Sequence, residues 1–138
     1  SFNKLIPFRK PFHTIQPAIA HLKDGRIFSY GTMGGEGQPQ TQACIFTRYV
    51  NQKLGLQKAI NEPRWLLGRT WGDHSSSLKM EGRFNESVFS SLLKMGHVVE
   101  KVGDFEEIMG HAGAVVAHPD GLIEGAFDLR SDGAAIGG

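Results

Sequence analysis

The stretch Tyr30-Gly31-Thr32-Met33-Gly34-Gly35-Glu36-Gly37-Gln38-Pro39-Gln40-Thr41-Gln42 decides how this chain is read. Arg26 to Tyr30 just before it has the apolar, aromatic character of a short strand. A helical pattern follows, with Pro39 near the first turn, a favoured place for proline. Four glycines, Gly31, Gly34, Gly35 and Gly37, therefore separate a strand end from a helix start. Without side chains, such a turn can present consecutive backbone N–H groups to a ligand. The helix N-terminus adds partial positive charge at the same place. The turn is read either as purely structural or as an anion hole for a phosphate, a carboxylate or the oxyanion of an acyl-transfer intermediate.

Upstream of the turn, Pro17 to Lys23 and Arg26 to Tyr30 flank Asp24-Gly25, a hairpin signal. Downstream, Ala43, Cys44, Phe46, Tyr49 and Val50 place a helix over Gln40 to Lys53, broken at Gly55. A second helix, Leu56 to Asn61, stops before Pro63, which disfavours helical backbone in the residue preceding it. Arg64 to Leu67 is extended, 68–77 is a polar loop, and Leu78 to Glu81 is a short strand. Asn85 is positioned to cap a helix over Glu86 to Met95, with Val88, Phe89, Leu92 and Leu93 as its apolar stripe and Gly96 as its stop. Strands are expected over His97 to Val102, Gly113 to His118 and Leu122 to Phe127, the last two joined by Pro119-Asp120-Gly121. This order predicts an α+β fold with helices packed on one face of a sheet, residues 1–138 being a single domain. Residues 1–12 have no regular period and read as an irregular entering segment, so the chain is expected to be a fragment or a processed subunit.

The 138 residues include 18 glycines, about 13% against roughly 7% in an average protein, in keeping with many tight turns. A net charge of +1 without a basic block gives nucleic-acid binding no support. No apolar run is long enough to span a bilayer, and no signal-peptide shape is present, so the compartment is not readable. The single cysteine, Cys44, excludes an internal disulfide, and its apolar neighbours make it a packing residue.

Gly31, Gly34 and Gly37 lack the GxGxxG spacing and no GK[ST] follows, which removes the Rossmann and P-loop readings. The oxyanion reading needs only two adjacent free N–H groups, which Gly34 and Gly35 can supply. The 6 histidines make no HxxxH or HExxH pair, so neither a local metal site nor a cofactor is called. His13, beside Thr14, either faces a pocket or is an ordinary surface or core residue. Ser1 pairs an α-amine with a hydroxyl, as N-terminal nucleophiles do. No strand follows to hold it rigid, so it is read as an arbitrary start. Asp128, Arg130 and Asp132 form a charged cluster read as a structural ion network.

Several segments together carry a family resemblance. They are Thr14-Ile15-Gln16-Pro17-Ala18-Ile19, the Gly31–Gly37 turn, Glu62-Pro63-Arg64, Leu93-Lys94-Met95-Gly96-His97-Val98-Val99, Gly113-Ala114-Val115-Val116, and Asp128-Leu129-Arg130-Ser131-Asp132-Gly133-Ala134-Ala135. Over nearly its whole length the chain resembles the C-terminal part of the small subunit of the gamma-glutamyltranspeptidase family. The resemblance implies an N-terminal-nucleophile hydrolase fold, an αββα sandwich, made as a proenzyme that cuts itself into two subunits. It implies amide cleavage through an acyl-enzyme, with the large subunit and the upstream part of the same precursor as partners. By the same resemblance Gly34 and Gly35 match the paired oxyanion-hole glycines, and the nucleophilic threonine belongs to a segment upstream of this chain.

Two departures from the family pattern stand in the chain, of which the first bears on the substrate. His13-Thr14 stands where the family has a serine pair; Thr14 retains a hydroxyl for a substrate carboxylate, whereas His13 changes shape and charge. Asp128-Leu129-Arg130 replaces Asp-Pro-Arg. The expected function is that of a γ-glutamyltransferase or γ-glutamyl hydrolase; the alternatives are an acylase acting on another amide and a noncatalytic anion-binding or assembly module. The chain alone is expected to be inactive on amides, and to self-associate through apolar surface left uncovered.

Overall fold

The structure, a computed structural model, describes residues 4–70, 72 and 74–137; Ser1, weighed above as a nucleophile, lies outside them. Its strands are β1 (Ala18–His21), β2 (Ile27–Thr32), β3 (Trp65–Leu67), β4 (Leu78–Glu81), β5 (Val99–Val102), β6 (Ala112–Ala117) and β7 (Ile123–Phe127). Its α-helices are α1 (Gln38–Phe46), α2 (Leu56–Asn61) and α3 (Glu86–Lys94). Residues 4–12 hold neither helix nor strand and are exposed.

Strands β1, β2, β6 and β7 form an antiparallel sheet in that order, with Phe28 opposite Val116 and Ala114 opposite Ala126 across the ladder. The hairpin turn forms as expected: Gly25 adopts φ 88° and Leu22 N–H donates to Arg26 O at 2.8 Å. Strands β3, β4 and β5 form a separate sheet, in which β4 and β5 run parallel across α3. The single sheet expected from the order of elements is thus divided. A parallel pair needs a crossover, and α3 supplies it, while the hairpins β1–β2 and β6–β7 meet through β2 and β6.

One face of the four-stranded sheet is covered by α1 and α2. Phe28, Ala112, Ala114, Val116 and Ala126 pack there against Ile45, Tyr49, Leu56, Ala59 and Ile60. The small side chains on β6 and β7 let the helices approach closely, and Phe28 stacks on Tyr30 (4.3 Å between centroids) and meets the tilted ring of Tyr49 (4.9 Å). The opposite face is open: Ile19 is 67%, Val115 48% and Ile123 62% exposed.

Helix α1 continues as a π-helical turn, Thr47–Asn51, with Gln52 N–H donating to Thr47 O. It ends at Lys53 (φ 57°), where Leu54 N–H returns to Arg48 O, and not at Gly55. Helix α2 occupies the expected residues. Helix α3 ends as expected, Gly96 (φ 88°) and His97 donating to Leu93 O and Leu92 O in a Schellman arrangement. Asn85 does occupy the N-cap position of α3, but its side chain makes no capping bond. Of the α3 stripe only Phe89 is buried, in edge contact with Phe84; Val88 and Leu93 are exposed.

Candidate active site

The glycine turn leaves the end of β2 and enters α1 through a 3-10 turn, Gly35–Gly37, closed by Gly37 N–H on Gly34 O at 2.8 Å. Gly34 (φ 132°) and Gly35 (φ 49°) both have backbone that side chains disfavour. The N–H groups of Gly34 and Gly35 have no acceptor among the described residues, as expected of donors at the start of a helix. Two adjacent unpaired donors beside a helix N-terminus are what an oxyanion requires.

Neighbouring backbone grips the turn from two sides. A Cβ on Gly35 would stand 2.3 Å from Thr70 O, and one on Gly110 would stand 2.4 Å from Met33 O. A Cβ on Gly34 would lie 3.4 Å from Gly110 Cα, ordinary contact. Met33 N–H donates to His111 O at 3.2 Å, which fastens the turn to the segment entering β6. That segment is held by side chains from three elements. Thr41 of α1 donates to Met109 O (3.1 Å), Thr70 to Ile108 O (2.6 Å), and Arg64 Nη1 to Gly110 O (2.9 Å) and Met109 O (3.3 Å).

Arg64 belongs to a buried ion cluster. Its Nη1 lies 2.6 Å from Asp128 Oδ2, and Arg130 binds Asp128 Oδ1 (3.0 Å) and both oxygens of Glu81 (2.6 and 2.7 Å). Arg83 at the rim also reaches Glu81, at 2.7 Å. Relative exposure is 1% for Arg64 and 0% for Glu81 and Asp128. Burial works against the Asp128 carboxylate, but Arg64, the Ala112 N–H and Arg130 together hold its pKa below the ordinary value. Burial draws the Arg64 guanidinium down to about 10 against the attraction of Asp128, which still leaves it charged at neutral pH. The expected cluster of Asp128, Arg130 and Asp132 is thus built differently: Arg64 and Glu81 complete it and Asp132 is exposed outside it.

On the open face of the four-stranded sheet a cleft of about 1260 Å³ is lined by Ile15, Gly31, Thr32, Met33, His111 and Ala135 among others, and so reaches the foot of the turn. His13 and Thr14 are exposed and do not line it. The His13 ring nitrogen Nδ1 lies 3.0 Å from Ile15 O and 3.2 Å from Ile15 N. The Thr14 carbonyl accepts from Gln38 Nε2 (2.9 Å), while Gln38 Oε1 accepts from Gln16 N–H (3.0 Å). Gln38, the first residue of α1 and buried, thus straps residues 14–16 beside the turn, helped by Gln42, which donates to Gln16 O. The roles of Gln38, Thr41, Thr70 and Gly110 went unread in the sequence, because the hydrogen-bond partners of the first three are backbone groups 22 to 68 residues away and Gly110 acts through its backbone.

Cys44 is half-buried, and burial pushes its thiol pKa up. In the folded protein it should react with a thiol reagent at pH 8 about tenfold more slowly than after urea unfolding, followed by mass spectrometry of its peptide. Equal rates would remove the packing role. Among the described residues no group of three or more His, Cys, Asp or Glu is placed to hold a metal, and no helix is long and apolar enough to cross a membrane.

Residues 1–138 match the family profile described as Gamma-glutamyltranspeptidase. The chain is 60% identical over 133 residues to the oxamate amidohydrolase proenzyme of Klebsiella pneumoniae subsp. pneumoniae, covering 96% of this chain and 25% of that protein. It is 45% identical over 135 residues to the glutathione hydrolase-like YwrD proenzyme of Bacillus subtilis, covering 98% and 26%. It therefore spans about a quarter of the length of these relatives. Among solved structures, the Bacillus anthracis transpeptidase enzyme CapD superposes with a TM-score of 0.74 at 26% identity, over 96% of this chain and 75% of that one. The Pseudomonas nitroreducens gamma-glutamyltranspeptidase mutant W525D gives a TM-score of 0.70 at 22% identity, over 99% and 68%, a likeness of fold. The fold is α+β, that of the N-terminal-nucleophile hydrolases, and the chain belongs to the gamma-glutamyltranspeptidase family.

Proposed function

We propose that this chain is the C-terminal part of the small subunit of a self-processing amidase, in which Gly34 and Gly35 supply the oxyanion hole. The carrying observation is the pair of adjacent, unpaired N–H groups held in positive-φ backbone at the end of β2. The nucleophile is a threonine on a segment upstream of this chain, its own α-amine serving as base. Its hydroxyl oxygen bonds to the amide carbonyl carbon, and the carbonyl oxygen takes negative charge and accepts from the two glycine N–H groups. The C–N bond then breaks, the amine leaves with the transferred proton, and water or an acceptor amine releases the acyl group. Fixed donors at the developing charge need no reorganisation during the step, and removing one such donor typically costs about 10²–10³ in rate. Gln38 straps the backbone of Thr14 and Gln16 beside the turn, and this placement supports a contact of Thr14, with His13 next to it, to the substrate's polar group, although neither lines the cleft of the separate chain.

The upstream part of the precursor and its large subunit cover the open face of the four-stranded sheet. The exposure of Ile19, Val115 and Ile123 there supports this, and it also makes the separate chain prone to self-association.

Between substrates, the 60% identical relative named an oxamate amidohydrolase favours hydrolysis of a small amide. The relative named glutathione hydrolase-like supports γ-glutamyl cleavage as the second reading. The test is ammonia release from oxamate against chromophore release from a γ-glutamyl anilide by the full-length, matured protein. We expect kcat/KM to favour oxamate by about tenfold or more, the scale on which a site's polar contacts discriminate. The reverse preference selects the γ-glutamyl reading, and no turnover of any amide rejects both in favour of a noncatalytic module.

A further inference from the structure

We propose that Arg64 is a positioning residue for the glycine turn, fixing the direction of the Gly34 and Gly35 N–H groups through the carbonyl oxygens of Met109 and Gly110. The inference rests on the oxyanion role proposed above, and it adds a residue that touches neither substrate nor nucleophile. Arg64 Nη1 holds Gly110 O at 2.9 Å and Met109 O at 3.3 Å, while Nη2 holds Ile60 O at 3.1 Å. Nη1 has two hydrogens, which suit the Gly110 and Met109 carbonyls, and the Asp128 carboxylate, 2.6 Å from the same nitrogen, adds the opposite charge. Gly110 in turn abuts the turn. A Cβ built on Gly34 would touch the Gly110 α-carbon at 3.4 Å, and even a methyl group on Gly110 would collide with Met33 O and, at 2.7 Å, with Thr32 Oγ1. The contact with Met33 is to its backbone oxygen, which cannot swing aside as a side chain can. A movement of the 109–110 backbone of the order of half an ångström is therefore passed to Met33 and Gly34. The carboxylate of Asp128 completes the device by binding Arg64 and the Ala112 N–H (2.8 Å), which joins the clamp to the first residue of β6. Thr41 reaches the same Met109 carbonyl from α1, so two independent side chains converge on one backbone atom.

A residue that only stabilised the fold would change the amount of active enzyme, leaving the parameters of each folded molecule alone. A positioning residue lowers kcat and kcat/KM together and leaves KM unchanged, because the donors act on charge that appears in the transition state. The experiment uses the full-length, matured protein with Arg64→Lys, which keeps the charge and loses the fork, and Thr41→Val, which is nearly isosteric and deletes only the bond to Met109 O. Ser91→Ala, on the exposed side of α3, is the control. Active-site concentration is normalised by burst titration, and the second readout is affinity for a boronic-acid acyl analogue, whose tetrahedral adduct places an oxygen where the oxyanion forms.

Arg64→Lys should lower kcat about tenfold with KM within about twofold, and weaken the boronate by a similar factor. Thr41→Val should lower kcat about threefold in the same pattern, with the melting temperature little changed. Should Arg64→Lys fail to fold, Thr41→Val decides: an unchanged kcat and boronate affinity overturn the inference. A loss confined to KM or to melting temperature in either variant overturns it as well. The underlying reading fails separately, in a Gly35→Ala protein that keeps full activity. An inactive Gly35→Ala protein alongside unaffected Thr41→Val and Arg64→Lys proteins rejects only the role of Arg64.

Discussion

Gly35→Ala in the full-length enzyme should lower kcat by about 10² or more while the protein still folds. Two effects converge there. A φ of 49° is open to alanine at a cost of about 1–2 kcal/mol, which a folded domain tolerates. The new methyl group, however, would stand 2.3 Å from Thr70 O, a backbone atom that cannot swing aside. Either the loop containing Thr70 or the turn itself must move, and the unpaired donors move with it. Gly96→Ala is the matched control, because Gly96 also has positive φ, 88°, but a Cβ there meets nothing within 4 Å. It should lose a comparable amount of stability and no activity. Steady-state kinetics and thermal melts on both proteins separate the effects; equal activity in the two would remove the catalytic role of the turn.

Replacing Arg64 with alanine should have the largest effect on stability. It leaves Asp128, wholly buried, with Arg130 as its remaining cation, and takes the donor from Gly110 O, whereas Met109 O keeps Thr41 and Ile60 O keeps Arg130. Breaking a buried ion pair from one side costs about 3–5 kcal/mol, a large part of a typical domain's total, so the urea midpoint should fall steeply or folding fail. The same cluster sets an acid limit. Asp128 is held below its ordinary pKa in the folded state, so the unfolded chain binds more protons between the two values and stability rises with pH there. Its contribution is complete above the unfolded value of about 3.9 and is lost as pH falls through the lower folded value. Asp128→Asn should therefore be markedly less stable than the parent at pH 7, with the gap narrowing below about pH 4. A gap independent of pH would mean that the charge of Asp128 contributes nothing.

What was legible in the sequence was local. Asp24-Gly25 and Gly96 announced a turn and a helix end because each needs a backbone conformation that glycine supplies, and α2 is bounded by Gly55 and by the proline after Glu62. The helical run ends at Lys53 as expected, but Lys53 itself, and not the nearby Gly55, takes the positive φ. The division into two sheets was not legible, since pairing between β2 and β6 joins residues about eighty positions apart and leaves no periodic trace. The candidate site shows the same split. From the residues alone a purely structural turn was the stronger reading, and the family resemblance was needed to name Gly34 and Gly35 as donors. The contacts of Gly110 and Thr70 with the turn, and the free N–H groups, are tertiary facts. Glu62-Pro63-Arg64 and Asp128-Leu129-Arg130 were each noticed, yet no property of either segment says that it closes on the other.

That closure has a bearing on synthesis. A ribosome makes the turn, then Arg64, then Glu81, and only at the end the pair Asp128 and Arg130 that neutralises them. N-terminal parts of a chain fold first during translation, at about 5–20 residues per second. Until residues 128–130 have emerged, Arg64 lacks its anion, the 109–110 backbone is unfastened, and the donors of the turn have no fixed direction. A nascent or prematurely terminated product therefore carries Gly34 and Gly35 without the contacts that fix the turn, and under the proposed oxyanion role it would lack reactivity until translation has passed the last charge of the clamp.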